Sequence, residues 1–344
     1  MSSSSFTMPQ SRGSAKLPKT YVITGGTSSV GVETARSLLQ SSLTNRVLII
    51  GLDHRKTELV VAMLSSELKK RTTVLVTILE TGEVIEEDRV IGMATDLTND
   101  NGISAMIEGC NEAFGSSGGL TGYINNLNDF RYPDRNDSQT QSFTQSQSQD
   151  EYNNADDDES PDKYSRPNVF SYQQFQDQLN GTMQIISGLT PLLQKFDFNN
   201  DNGGGAIVLV TSAKYCAPQQ QQQQSSSSQY SQTTTNTLPQ TLPSNLYKSS
   251  IKQLTLSLSK SKELTSYQIR TNAIIPSIIY PSHLLTPQLQ SMFPTALDEI
   301  KKLSPLGRLA GASEIAQPVL FLVGEGSSFV NGQVLGVDGG GGGG

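Results

Sequence analysis

Thr20 to Gly31 reads Thr-Tyr-Val-Ile-Thr-Gly-Gly-Thr-Ser-Ser-Val-Gly, a short apolar strand (Tyr21 to Ile23) running into a glycine-bearing turn. A helix-like segment, Val32 to Leu39, follows at once. This stretch constrains the fold more than any other, because strand, tight turn and helix in immediate succession open a βαβ unit. Glycine lets backbone approach a ligand closely, and the N–H groups at a helix N-terminus point at negative charge. The turn therefore reads as a cradle for a dinucleotide pyrophosphate.

Further strand-like runs occur at Tyr21–Thr24, Val47–Gly51, Val90–Ala94, Gly122–Asn125, Ala206–Val210 and Thr271–Ile275. Between them lie helix-like segments at Leu59–Lys69, Ile103–Phe114, Phe175–Gln194 and Leu246–Leu264. Such alternation predicts an α/β fold, a Rossmann-type doubly wound parallel sheet covered on both faces. Residues 73–88 read as an extra hairpin with its turn at Glu80–Glu83, and the sequence assigns it no function.

Two tracts are expected to stay out of the core as disordered insertions. Residues 131–167 are rich in Gln, Ser, Asn and Asp, with nine acidic and four basic residues, a net of −5 out of the chain's −7. Residues 218–243 hold Gln, Ser and Thr runs and no charge, a composition that buries too little to fold. With a Ser-rich N-terminus (1–17) and a glycine tail (341–344), this leaves one domain over 18–340. Cys110 and Cys216 imply neither a disulfide framework nor a metal site, and His54 and His283 have no companion at ligand spacing. Scattered basic residues in an acidic chain argue against nucleic acid, and no apolar run spans a bilayer. A cytoplasmic protein is the expectation, with organelle import as the alternative.

With these elements in place, the chain resembles the short-chain dehydrogenase/reductase family from about Lys19 to Gly340. The family's Thr-Gly-x-x-x-Gly-x-Gly fingerprint meets Thr24, Gly25 and Gly31, with Ser29 at the middle glycine. Asp96-Leu97-Thr98 and Asn125-Asn126-Leu127-Asn128 resemble its adenine-side and Asn-Asn-Ala-Gly segments. Near the C-terminus, Pro305 to Leu309, Glu314 to Ala316, Val319 to Leu322, Asn331 to Gln333 and Val337 to Gly340 fall in family order, as a structural segment.

The resemblance implies NAD as cofactor, with NADP as the alternative. It puts Gly25, Thr27, Ser28, Ser29, Val30 and Gly31 around the pyrophosphate, Asp96, Leu97 and Asn125 along the nucleotide, and Ser277 and Ile279 near the nicotinamide amide. Asp53 follows the second strand by position and reads as the ribose-binding carboxylate that repels a 2′-phosphate. A strand-end aspartate capping the next helix is its other reading, and Arg55 its counterweight.

The implied chemistry is hydride transfer on a secondary alcohol or carbonyl, with tyrosine as acid/base, a lysine lowering its pKa, and a serine polarising the carbonyl. Ser212 takes the serine position and Tyr247 the tyrosine position, whereas counting back from Asn272 without gaps sets Leu246 and Ser250 at the tyrosine and lysine positions. Ile251 stands where the lysine is due, so Lys252 or Lys248 is the stand-in. Gln178 falls at the family's asparagine position, and Asn180 on another helix face. Leu284, Leu285, Met292 and Phe293, in a segment starting at Tyr280, fit an apolar or amphipathic small-molecule substrate, and fit equally a loop packing on its own body. A homo-oligomer is implied by the resemblance alone. The competing reading is a protein that holds NAD(P) on this scaffold without turnover.

Overall fold

Residues alternate between two faces along each central strand, and each face meets its own helices. The computed structural model describes residues 18–69, 71–78, 81–116, 118–126, 172–195, 204–211, 242–276, 279–280 and 304–341. Ser212, Ser277, Leu127, Asn128, the 281–293 segment and nearly all of both tracts lie outside the described residues, as do the side chains of Tyr247 and Lys248.

In chain order the elements are β1 (Thr20–Thr24), α1 (Ser29–Ser41), β2 (Arg46–Gly51), α2 (His54–Leu68), β3 (Thr73–Thr77), β4 (Val84–Asp88) and β5 (Val90–Ala94). Then come α3 (Asp100–Phe114), β6 (Gly122–Asn126), α4 (Tyr172–Lys195), β7 (Ala206–Val210), α5 (Leu242–Ser259) and α6 (Lys262–Thr265). The last are β8 (Arg270–Pro276), β9 (Ile279–Tyr280), β10 (Ala310–Gly311), α7 (Ala312–Val323) and β11 (Val334–Val337). Seven strands form a parallel sheet in the order β11-β8-β7-β6-β1-β2-β5.

Val22, Leu48, Ile50, Tyr123, Ile207 and Leu209 turn to one face and meet Met106 and Phe114 of α3, Leu189 of α4 and Ile251 of α5. Ile23, Val47, Ile49, Ile124, Val208 and Val210 turn to the other and meet Leu38 of α1, Leu64 of α2 and Val319 of α7. Period-two alternation on a sheet covered twice is why these strands read as nearly continuous apolar runs. The expected doubly wound sheet is the observed one.

The expected hairpin also forms. β3 and β4 pair antiparallel from Thr73↔Asp88 to Thr77↔Val84, and Ile78 N donates to Glu83 O at its end. Two boundaries differ from expectation. The predicted Leu246–Leu264 helix is interrupted at Ser261, which separates α5 from α6, and α5 begins at Leu242, inside the stretch assigned to the second tract.

The C-terminal family segment is a set of braces. Arg308 grips Glu314 with two nitrogens at 2.7 Å each, and Gly311 N caps the same carboxylate, so Glu314 is held down to about 2. Asn331 accepts from Thr271 N and donates to Ser259 O, tying β8 to α5. Cys110 is buried in the core and its thiol is pushed up to about 12 by desolvation, so it is an inert packing residue.

Candidate functional site

The order in which the parallel strands are added reverses between β1 and β6: β2 and β5 extend one side, and β6, β7, β8 and β11 the other. A crevice outside the carboxyl ends of strands is expected at such a switch point. Here it is an open crevice lined by Thr24, Gly25, Ile50, Gly51, Leu52, Thr95, Leu97 and Asn126.

The turn at its mouth is built by glycine geometry and one serine. Gly25 takes φ 65°, which reverses the chain without a Cβ clash. Ser28 caps α1: its Oγ accepts from Gly31 N at 3.1 Å and donates to Gly25 O at 2.8 Å. Asn126 Nδ2 donates to Ser28 Oγ at 2.7 Å, fastening β6 to the turn. The Ser28 N–H also bonds to Gly25 O, so Ser28 shapes the cradle and has no donor left to offer a ligand.

Val32 N donates to Ser28 O, and Gly31 N is taken by the cap. The N–H groups of Ser29 and Val30 are thus the ones that a helix start leaves for an external partner. No acidic residue stands in the first turn of α1. Uncompensated N–H groups, the positive end of the helix and an adjoining crevice fit the pyrophosphate of a dinucleotide. Ser29 is exposed, so its Cβ leaves the turn itself undisturbed.

Asp53 sits at the N-cap of α2, where Oδ1 accepts from Lys56 N at 2.6 Å. The capping reading is therefore realised, and the residue of this junction that lines the crevice is Leu52. Asp53 is exposed beside it. Asp96 accepts from Thr98 N and Thr98 Oγ1 at 2.9 and 2.7 Å, closing a turn, while its neighbours Thr95 and Leu97 line the crevice.

Asn125 is fully buried: it accepts from Thr24 Oγ1 at 2.9 Å and donates to Thr182 Oγ1 on α4 at 3.4 Å. It clamps β1, β6 and α4, and Asn126 is the asparagine that reaches the crevice. Sequence reasoning missed Ile50, Gly51, Leu52, Thr95 and Asn126 as lining residues. Their shared signal was position, since each lies within one residue of the end of a strand. Thr27 is buried, and Ile279 packs its side chain into the core while β9 pairs with Ala310 of β10.

On α4, Gln178 is buried and Asn180 exposed, so the position counted back to Gln178 is the inward one. On α5, Ile251, Thr255 and Leu258 are 1%, 0% and 7% exposed and mark the inward face. Positions 247 and 248 fall about 40° and 60° to either side of Ile251 on an ideal helix. Lys252 falls about 100° away and is half-buried. Ile251 fills core space, so a lysine placed there to complete the spacing would bury an ammonium.

Against known proteins, a family model described as Enoyl-(Acyl carrier protein) reductase matches residues 204–341. The 3-oxoacyl-(acyl-carrier-protein) reductase of Thermotoga maritima is 40% identical over 80 residues, 23% of this chain and 30% of that enzyme. A cyclopentanol dehydrogenase of Comamonas sp. is 39% identical over 80 residues, again 23% of this chain and 30% of the relative. The matched part of the chain thus spans under a third of these relatives' length. Among solved structures, an NADPH-bound short-chain oxidoreductase of Pseudomonas aeruginosa PAO1, described as containing an atypical catalytic center, has the same fold. Its TM-score is 0.57 at 18% identity, covering 94% of this chain and 96% of that one.

Proposed function

Because the chain belongs to the short-chain dehydrogenase/reductase family, we propose that it is an NAD(P)(H)-dependent oxidoreductase acting on a secondary alcohol or carbonyl. The observation that carries this reading is the start of α1, where the Ser29 and Val30 N–H groups follow the turn whose Gly25 lines a crevice at the switch point. When bound, a nicotinamide dinucleotide supplies the hydride acceptor or donor. The turn from Gly25 to Gly31 would hold its pyrophosphate, and Leu52 and Leu97 would pack on the adenosine end. Tyr247 would exchange the proton at the substrate oxygen, Ser212 would donate a hydrogen bond to that oxygen, and a lysine of α5 would lower the phenol pKa. The names of the relatives, reductases and a cyclopentanol dehydrogenase, support a carbonyl or alcohol as the reacting group.

Of the two lysines, the inward face of α5 favours Lys248 over Lys252. Lys248→Met should therefore lower kcat at least 100-fold, about as far as Tyr247→Phe, the usual scale for losing general acid–base help. Lys252→Met should cost less than tenfold, and the reverse ranking would overturn the assignment.

Asp53 is proposed to favour NAD through its charge, with the cap as its second task. Asp53→Asn keeps a capping oxygen and removes the repulsion of a 2′-phosphate, so NADPH affinity should rise about tenfold with the melting temperature little changed. Titration with NADH and with NADPH, followed by nicotinamide fluorescence, reads both this and the primary proposal. Binding of neither would remove it. Binding with no turnover across alcohols and carbonyls would leave the second reading, a cofactor-holding protein, which the burial of Ile251 favours.

A further inference from the structure

We propose that the β3–β4 hairpin joins two copies of this chain, edge to edge through β3. The hairpin stands apart from the chemistry. β4 ends at Asp88 and β5 begins at Val90, so the hairpin leaves the sheet at the amino end of β5, whereas the crevice lies at the carboxyl ends.

It is also held firmly. Arg46 Nη2 meets Glu87 at 2.9 Å and Arg46 Nε donates to Asp88 O at 3.1 Å, while Arg89 N donates to Thr72 O at 2.8 Å. Val76, on its inner face, is fully buried. A two-stranded ribbon is marginal by itself, and these anchors hold this one in place for contact.

The ladder parity fixes which backbone groups are left over. Thr72 pairs with Arg89 and Ile78 with Glu83 through hydrogen bonds, so even-numbered residues of β3 bond toward β4. Thr73, Leu75 and Thr77 therefore turn their N–H and C=O groups to the outer edge. Among the described residues, β3 and β4 pair only with each other.

Residues 72–79, Thr-Thr-Val-Leu-Val-Thr-Ile-Leu, contain no charge, proline or glycine. Natural edges are normally guarded by such residues, and this one is not. Leu75 is 68% exposed on the outer face, and Val84, diagonal to it on β4, is 57% exposed.

Charge selects the occupant. β4 carries Glu86, Glu87 and Asp88, so β4 against β4 would bring six carboxylates together. β3 against β3 is neutral and self-complementary: an antiparallel two-fold at Leu75 sets Leu75 opposite its copy and Thr73 opposite Thr77. The two β4 strands then lie three strand spacings apart, roughly 14 Å, beyond the screening length of about 8 Å at physiological salt.

The test uses the full chain with Cys216→Ser, comparing Leu75→Cys with Val84→Cys under mild oxidation. Directly opposed residues bring Cα atoms to about 5.5 Å, within disulfide reach. A covalent dimer through Leu75→Cys, well above that through Val84→Cys, is expected. Leu75→Lys should halve the assembly mass by light scattering and leave the melting curve in place. Equal or absent crosslinking, or an unchanged mass with Leu75→Lys, would overturn the joint.

Discussion

Gly31→Val is expected to lose dinucleotide binding by at least 100-fold and to lower stability by roughly 2 kcal/mol, the scale of forced overpacking. A Cβ at residue 31 would lie 2.4 Å from Gly25 O and 2.6 Å from Gly26 Cα, and both obstacles are backbone. No rotamer relieves that contact, so the turn must open. Opening it also strains the bond from Gly31 N to Ser28 Oγ and, through Ser28, the link to Asn126. The N–H groups of Ser29 and Val30 then lose their common aim. Fluorescence titration with NADH and thermal melting measure the two effects. Ser29→Ala is the matched control, since Ser29 is exposed and its loss should change affinity by less than threefold. Wild-type affinity in Gly31→Val would rule out this turn as the phosphate site.

Arg89→Met is expected to be the most destabilising single change, by roughly 3–5 kcal/mol, out of the about 5–15 kcal/mol that hold a domain together. The Arg89 side chain is buried and donates to four carbonyls: Leu39 O and Ser42 O at 2.7 Å, Asn45 O and Arg71 O at 3.1 Å. These close the end of α1, the loop before β2 and the approach to β3 around one guanidinium. Methionine fills similar volume but leaves the carbonyls without a donor, and each buried unsatisfied group costs about 1–3 kcal/mol. Arg89→Lys should fall between, because a single ammonium cannot span the fan. Urea unfolding decides it, and a loss of under about 1 kcal/mol in Arg89→Met would show that water replaces the guanidinium.

How far the sequence was legible follows from what each signal depends on. Strands such as Ile207 to Val210 were legible because burial on both faces demands an apolar residue at every position. The hairpin was legible from β-branched runs around Thr81-Gly82. Asp53 was only half legible: a carboxylate at a strand-to-helix junction satisfies a cap and a ribose site equally, and only coordinates show Oδ1 on Lys56 N. Asn125 and Asn126 are adjacent in a strand and must point to opposite faces, yet the motif names both without saying which reaches the crevice. The α5 register was not legible by counting, because the tract before it offers no fixed reference. The burial of Ile251, Thr255 and Leu258 marks which face of α5 turns inward.

β6 ends at Asn126 and β7 at Val210, both at the crevice end of the sheet, and the chain is next described at α4 and α5. The strand register from Thr20 to Val337 is closed without the intervening lengths. Both exits therefore open beside the cradle, so the chain that follows β6 and β7 starts at the ligand's end of the sheet. A fluorescent reporter inserted after Asn126 would start one residue from the Ser28 cap, where occupancy of the turn can be read as a signal.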